Sequence, residues 1–168
     1  MAAVSIRAPT NSETMISMII NLDILNEEIA NQVFIIFQRS YKVEAQLIGV
    51  TDFPPLSRSA QDIKNSKSLF YGFIDKKCLA AIIEITIEGK RLEINSLTVD
   101  PNHFRKGIAG KLLSYILDEI EFSEAIVETA TKNDPAINLY EKYGFVEFKR
   151  WTPPHGIQKV ALSLENSL

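Results

Sequence analysis

Cysteine is almost absent: Cys78 is the single one among 168 residues. No internal disulfide can form, and a reducing, cytoplasmic setting is the simplest expectation. Cys78 opens the apolar run Cys78-Leu79-Ala80-Ala81-Ile82-Ile83, so its thiol is expected to be a buried, inert bystander. Histidine is scarce too, with only His103 and His155, and no spaced Cys/His cluster exists to hold a metal. Long hydrophobic runs are missing. The apolar stretch over 15–25 is broken by Asn21 and Asp23 and is too short to span a bilayer. The start does not read as a secretory leader either, since Arg7 is followed by Pro9, Asn11, Ser12 and Glu13 before any apolar stretch. No membrane partner is expected. Positive charge is not in excess: 18 Lys and Arg stand against 21 Asp and Glu, a net charge of −3. That balance gives no electrostatic reason for a nucleic-acid partner, while a local basic patch can still hold a phosphate-bearing ligand.

What is present is the composition of an ordinary folded chain. Hydrophobic residues make up 46% and charged residues 23%, enough for one core in one domain spanning 1–168. Residues 1–12 are weakly patterned and expected to be loose. Residues 15–20 are β-branched-rich and predict a strand. A helix follows over 26–39, with Ile29, Val33, Ile36 and Phe37 at helical spacing and Glu27 and Glu28 in its first turn. Residues 41–52 are a second helical piece or a turn, and Phe53-Pro54-Pro55-Leu56 breaks any helix. A short helix is expected over 59–65. Strands over 68–74, 79–87 and 91–99, joined by short charged turns, predict an antiparallel meander. An amphipathic helix carries Ala109, Leu112, Leu113, Ile116, Leu117 and Ile120. A strand over 125–131 precedes a helix that starts at Pro135, capped by Asn133 or Asp134, and stops at Gly144. Strands over 146–151 and 157–164 complete a mixed α/β (α+β) domain, a mostly antiparallel central sheet flanked by helices.

The segment between Val99 and Leu112 carries the strongest chemical signal. A strand enters a basic, glycine-containing turn and passes directly into a helix. Gly107, Ala109 and Gly110 let a ligand approach the backbone closely. The first N–H groups of the helix have no internal partner and, with the helix dipole, favour an anion. Arg105, Lys106 and Lys111 add positive charge. A pyrophosphate would fit, although neither the Walker ending nor the three-glycine dinucleotide spacing is present.

The run from Val99 to Leu113, with Gly107 and Ala109 at its centre, resembles the acetyl-CoA motif of the GNAT superfamily of N-acetyltransferases. The pattern there is Gln/Arg-x-x-Gly-x-Gly/Ala. Phe104 occupies its first position, and Arg105 supplies charge one residue on. Downstream, Asn133-Asp134-Pro135-Ala136-Ile137-Asn138-Leu139-Tyr140-Glu141-Lys142-Tyr143-Gly144-Phe145 resembles the family's Asn-x-x-Ala-x-x-x-Tyr-x-x-x-Gly-Phe segment. The resemblance spans roughly 79–151.

It implies acetyl-CoA as co-substrate and an N-acetyltransferase that acetylates a primary amine, from a small-molecule or peptide acceptor, by direct transfer. The backbone of Leu97, Thr98 and Val99 would pair with the pantetheine arm and stabilise the oxyanion. The turn formed by Arg105, Lys106, Gly107, Ile108, Ala109, Gly110 and Lys111 would hold the pyrophosphate. Asn133 would bond the cofactor arm, and Tyr140 would protonate the leaving thiolate. Glu93 stands where histone-type members carry their catalytic glutamate, with Glu84 and Glu128 as other candidate bases. Strand alternation puts Glu93, Asn95, Leu97 and Val99 on one face. His103 and His155 are expected to be loop residues, with the His155 loop a candidate border of the acceptor site, and Trp151, Phe53 and Tyr71 are expected to pack in the core, with lining of the acceptor pocket as the alternative. A non-catalytic acyl-CoA-binding or regulatory module is the alternative function. A homodimer through the C-terminal strands is compatible with the resemblance.

Overall fold

Asn26 sets where the first helix begins, because its side chain accepts the N–H groups of Glu28 and Ile29 at 3.0 and 3.2 Å. The helix, α1 (Glu27–Ile48), then runs unbroken to Gly49, whose φ of +76° is a left-handed conformation that glycine adopts without a Cβ penalty. The two pieces expected over 26–39 and 41–52 are therefore one helix. Nothing between Arg39 and Ile48 breaks it, and Ala45 and Ile48 continue its buried stripe. The computed structural model describes residues 17–167. The loose segment expected over 1–12 lies outside that range, as do positions 15 and 16 of the first expected strand.

Seven strands form one sheet in the order β1-β2-β3-β4-β5-β7-β6. They are β1 (Met18–Asn21), β2 (Leu69–Asp75), β3 (Cys78–Glu88), β4 (Arg91–Val99), β5 (Glu124–Ala130), β6 (Val146–Trp151) and β7 (Lys159–Glu165). Every neighbouring pair is antiparallel except β4 with β5. The remaining helices are α2 (Ala60–Asn65), α3 (Ile108–Glu119) and α4 (Asp134–Lys142), with short 3-10 turns at Pro54–Ser57 and Pro101–His103. Helices cover both faces of the middle strands, which explains the uninterrupted apolar run of β3. On one face Val33, Ile36 and Phe37 of α1 and Ile63 of α2 pack on Phe70 and Ile82. On the other, Leu112, Leu113 and Ile116 of α3 and Tyr140 of α4 pack on Ile83, Ile85, Leu92 and Ile94.

Two expectations are corrected here. Cys78 is exposed, because it is the first residue of β3 after the tight turn at Lys76 and Lys77, ahead of the buried part of the strand. The single face proposed for Glu93, Asn95, Leu97 and Val99 does not exist. Ile85 pairs with Ile94 but Glu84 pairs with Ser96, so Asn95 is the extra residue of a β-bulge. Alternation inverts across it. Leu92, Ile94, Leu97 and Val99 join the α3–α4 side. Glu93 faces the other way.

Candidate active site

The sheet opens between β4 and β5. Their parallel pairing runs from Arg91 with Glu124 to Ile94 with Val127 and ends there. Beyond the bulge, β4 stays bonded to β3 through Ser96, Leu97, Thr98 and Val99. Among the described residues, its other edge, facing β5, has no strand partner. The backbone donors and acceptors of an unpaired edge are ready to bond an extended ligand. The Thr98 side chain is buried away from this opening, its Oγ1 without a partner, so Thr98 contributes only backbone.

Val99 leads into the basic turn. Asp100 caps the Pro101–His103 turn by accepting Asn102 N–H at 3.0 Å and receives Arg39 of α1 at 2.9 Å. Asp75 accepts from Lys106 at 3.1 Å and lies 3.1 Å from His103 Nδ1, and both contacts hold its carboxyl below the usual range, Lys106 most strongly. The β2–β3 turn thereby braces the turn that precedes α3. Gly107 caps α3 at φ +70°, and Arg105 is also left-handed at φ +63°. The first intrahelical bond runs from Lys111 N–H to the Gly107 carbonyl at 3.2 Å, which leaves the preceding N–H groups without helical partners.

A cavity of about 480 Å³ joins these parts. Leu97 and Val99 form one wall, Arg105 to Ala109 one end, and Val43, Glu44 and Leu47 of α1 the opposite side. Gly110 and Lys111 are not part of it. A Cβ on Gly110 would lie 3.0 Å from the Tyr143 hydroxyl, which donates to the Gly110 carbonyl at 2.9 Å, so this glycine serves the packing of α3 on α4. The Lys111 ammonium lies over the Phe73 ring at 5.8 Å.

A second cavity, of about 260 Å³, lies on the other side of the opening. The Phe53-Pro54-Pro55 segment, Glu128, and His155, Ile157 and Lys159 line it. The two cavities share Glu44, Leu97, Asn133, Ala136 and Tyr140. Asn133 caps α4 by accepting Ala136 N–H at 3.3 Å, and its Nδ2 donates to Glu44 at 3.0 Å. Tyr140 comes from the buried face of α4 and stacks edge-on with Phe145 at 5.5 Å. Among the described residues its hydroxyl has no hydrogen-bond partner, yet the sealed unpaired side-chain atoms there are only Ser66 Oγ and Thr98 Oγ1. The Tyr140 hydroxyl therefore opens onto the cavities. Burial first, then the Glu44 and Tyr41 charges, raises its pKa above the ordinary tyrosine value, so it keeps its proton at neutral pH.

The expected site residues are thus brought together unevenly. Leu97, Val99, Arg105, Lys106, Gly107, Ile108, Ala109, Asn133 and Tyr140 line the larger cavity. Glu93 lines neither cavity that contains Tyr140. It sits in an adjoining groove, half-exposed and 3.4 Å from Arg91. Glu84 is buried against Arg58 at 2.6 Å. Glu128 lines the smaller cavity. His103, expected as a plain loop residue, borders the larger cavity, and Phe53 is buried in the core as expected while also lining the smaller one. Glu44 escaped the sequence reading, although its position was legible. It falls with Tyr41, Ala45 and Ile48 on one helical stripe, a carboxylate where an apolar residue is the rule.

The site thus combines a splayed strand pair, a basic turn that opens a helix, and a tyrosine where two cavities meet. The family model described as "Acetyltransferase (GNAT) family" matches residues 31–145. The chain belongs to that family. It is 35% identical over 118 residues to the UPF0157 protein YqkA of Bacillus subtilis, covering 70% of this chain and 34% of that one. It is 28% identical over 113 residues to the N-alpha-acetyltransferase RimI of Mycobacterium tuberculosis, covering 64% of this chain and 71% of RimI. This chain thus matches about a third of YqkA and most of RimI. Among solved structures, the PaiA N-acetyltransferase of Thermoplasma acidophilum in complex with coenzyme A aligns with a TM-score of 0.68 at 20% identity, over 88% of this chain and 98% of that chain.

Proposed function

We propose that this chain transfers the acetyl group of acetyl-CoA directly to a primary amine of a small-molecule or peptide acceptor. The observation that carries this reading is the meeting of two cavities at the Tyr140 hydroxyl, beneath the unpaired edge of β4. Family membership and the N-acetyltransferases among the relatives support it.

In this reading the larger cavity takes the co-substrate. The free N–H groups of the turn from Arg105 to Ala109 bind the pyrophosphate, with Arg105 and Lys106 neutralising it. The β4 edge at Leu97, Thr98 and Val99 bonds the pantetheine amides, and its N–H groups steady the charge that develops on the acyl oxygen. Asn133 holds the arm near the thioester. The acceptor enters through the smaller cavity, between the Phe53-Pro54-Pro55 segment and the β6–β7 connection. Nitrogen forms a bond to the acyl carbon, the carbon–sulfur bond breaks, Tyr140 gives its proton to the departing sulfur, and the proton shed by nitrogen returns to the Tyr140 oxygen. Gly110 and Lys111 shape and flank the helix without touching the pyrophosphate. Glu93, oriented away and paired with Arg91, takes no part.

The test is a product assay. Wild-type protein, acetyl-CoA and a panel of amines (a diamine, an aminoglycoside, an amino acid and a peptide with a free N-terminus) are incubated, and released thiol and acetylated product are both measured. Matched amounts of thiol and acetyl-amine for at least one acceptor are expected. Tight acetyl-CoA binding with no transfer to any amine would instead mark a non-catalytic binding module.

A further inference from the structure

We propose that Glu44 is a cation subsite that receives the acceptor's ammonium group and takes its proton, so that the site selects amines over alcohols. This deepens the acetyl-transfer reading and rests on it.

Among the described residues, the carboxylates around the opening of the sheet already hold cations, with one exception. Glu128 has Lys159 at 3.5 Å, Glu93 has Arg91 at 3.4 Å, Glu84 has Arg58 at 2.6 Å and Asp100 has Arg39 at 2.9 Å. Glu44 forms no ion pair. Its polar partner is the neutral amide of Asn133 at 3.0 Å. A partly buried carboxylate without a cation is costly, and an arriving ammonium removes that cost. Glu44 is also the one carboxylate that lines both cavities, beside Tyr140. A cation bound there sits where the acyl carbon must be attacked. Burial pushes the Glu44 carboxyl above its ordinary value, the direction that suits a proton acceptor, against the opposing pull of Asn133 and Lys159.

The step balances. Ammonium gives one proton to Glu44 and becomes a nucleophilic amine. Nitrogen bonds to the acyl carbon, the carbon–sulfur bond breaks, and Tyr140 protonates the sulfur. The second nitrogen proton returns to the Tyr140 oxygen through water, and Glu44 releases its proton to solvent. Neutralising Glu44 also removes a charge that raises the Tyr140 pKa, so the acid strengthens as the thiolate departs.

Two measurements decide it, on wild type, Glu44→Gln, the competing variant Glu128→Gln and the control Glu93→Gln, which lies outside both cavities. The first follows binding of n-butylammonium by NMR, with n-butanol as the uncharged control. Wild type and Glu93→Gln should bind the ammonium and not the alcohol, and Glu44→Gln should bind it about 10-fold more weakly. The second is kcat/KM against pH for an amine from the panel. Glu44→Gln should fall about 100-fold near neutral pH, recover as pH rises toward the amine's own pKa, and leave acetyl-CoA affinity unchanged. Tyr41 on α1, Tyr140 on α4, Glu128 on β5, Lys159 on β7 and His155 face the same space, so the loss near neutral pH and its recovery at higher pH must appear in Glu44→Gln alone to be assigned. An unchanged Glu44→Gln, or no ammonium binding by wild type, overturns the proposal. The loss appearing in Glu128→Gln instead assigns the proton to Glu128. Ammonium binding that depends on Glu44, with no acetyl transfer by wild type, leaves the subsite standing and fells the reading beneath it.

Discussion

Tyr140→Phe will lower the rate of acetyl transfer by about 100-fold or more while acetyl-CoA affinity stays within about twofold of wild type. The substitution removes one oxygen and keeps the ring. Tyr140 is 4% exposed and its ring packs on Phe145, so the core loses nothing of its shape. The lost hydroxyl has no protein partner, so no buried group is orphaned by its removal. A packing tyrosine would therefore tolerate the change in both binding and turnover. A proton donor would lose kcat alone, because the thiolate would have to leave unprotonated or find water. Calorimetric affinity beside steady-state turnover separates the two roles. Equal kcat in the two proteins would remove Tyr140 from the mechanism.

The largest effect on stability is expected at Arg58. Its guanidinium grips both Glu84 oxygens, at 2.6 and 3.0 Å, and lies 5.7 and 5.9 Å from the Phe37 and Phe70 rings. Ser96 Oγ donates to the same carboxylate at 3.2 Å. The Glu84 side chain is 3% exposed and that of Arg58 28%. Arg58→Ala leaves a buried carboxylate without its cation and should cost about 3 kcal/mol. For a domain of this size, that corresponds to a melting temperature lower by roughly 6–12 °C. Arg58→Met with Glu84→Gln, which removes both charges, should recover much of the loss. Urea or thermal unfolding of the three proteins checks this, and a double variant as unstable as Arg58→Ala would show that the pair acts through something other than charge. Arg58 also follows the Pro54–Ser57 turn, so the same pair fixes one wall of the smaller cavity to the sheet.

The elements of the sheet were legible because their patterns are strong. Three β-rich runs with tight turns gave the β2–β3–β4 meander, and the stripe through Leu112, Leu113 and Ile116 gave α3. The basic turn stood out because Gly107 is placed where a strand becomes a helix. Other features depended on contacts that no local pattern encodes. The bulge at Asn95 arises from register against β3, and one extra residue turned Glu93 away from the face it was expected to share with Leu97. Gly110 looked like room for a ligand, yet the room is taken by Tyr143 from a helix that starts 24 residues later. The sequence left 41–52 open between a helical piece and a turn, and with it went Glu44, the one cavity carboxylate that has no ion-pair partner among the described residues. Asn133 meets Glu44 across a sequence separation of 89 residues.

Calorimetric titration of acetyl-CoA into wild type and Ala109→Glu tests the site most directly. Ala109 lies in the first turn of α3 and lines the larger cavity, so a glutamate there both fills and charges the place assigned to the pyrophosphate. Wild type should bind with micromolar affinity, and the variant about 100-fold more weakly. Equal binding by the two proteins, or none by wild type, would contradict the placement of acetyl-CoA in this cavity.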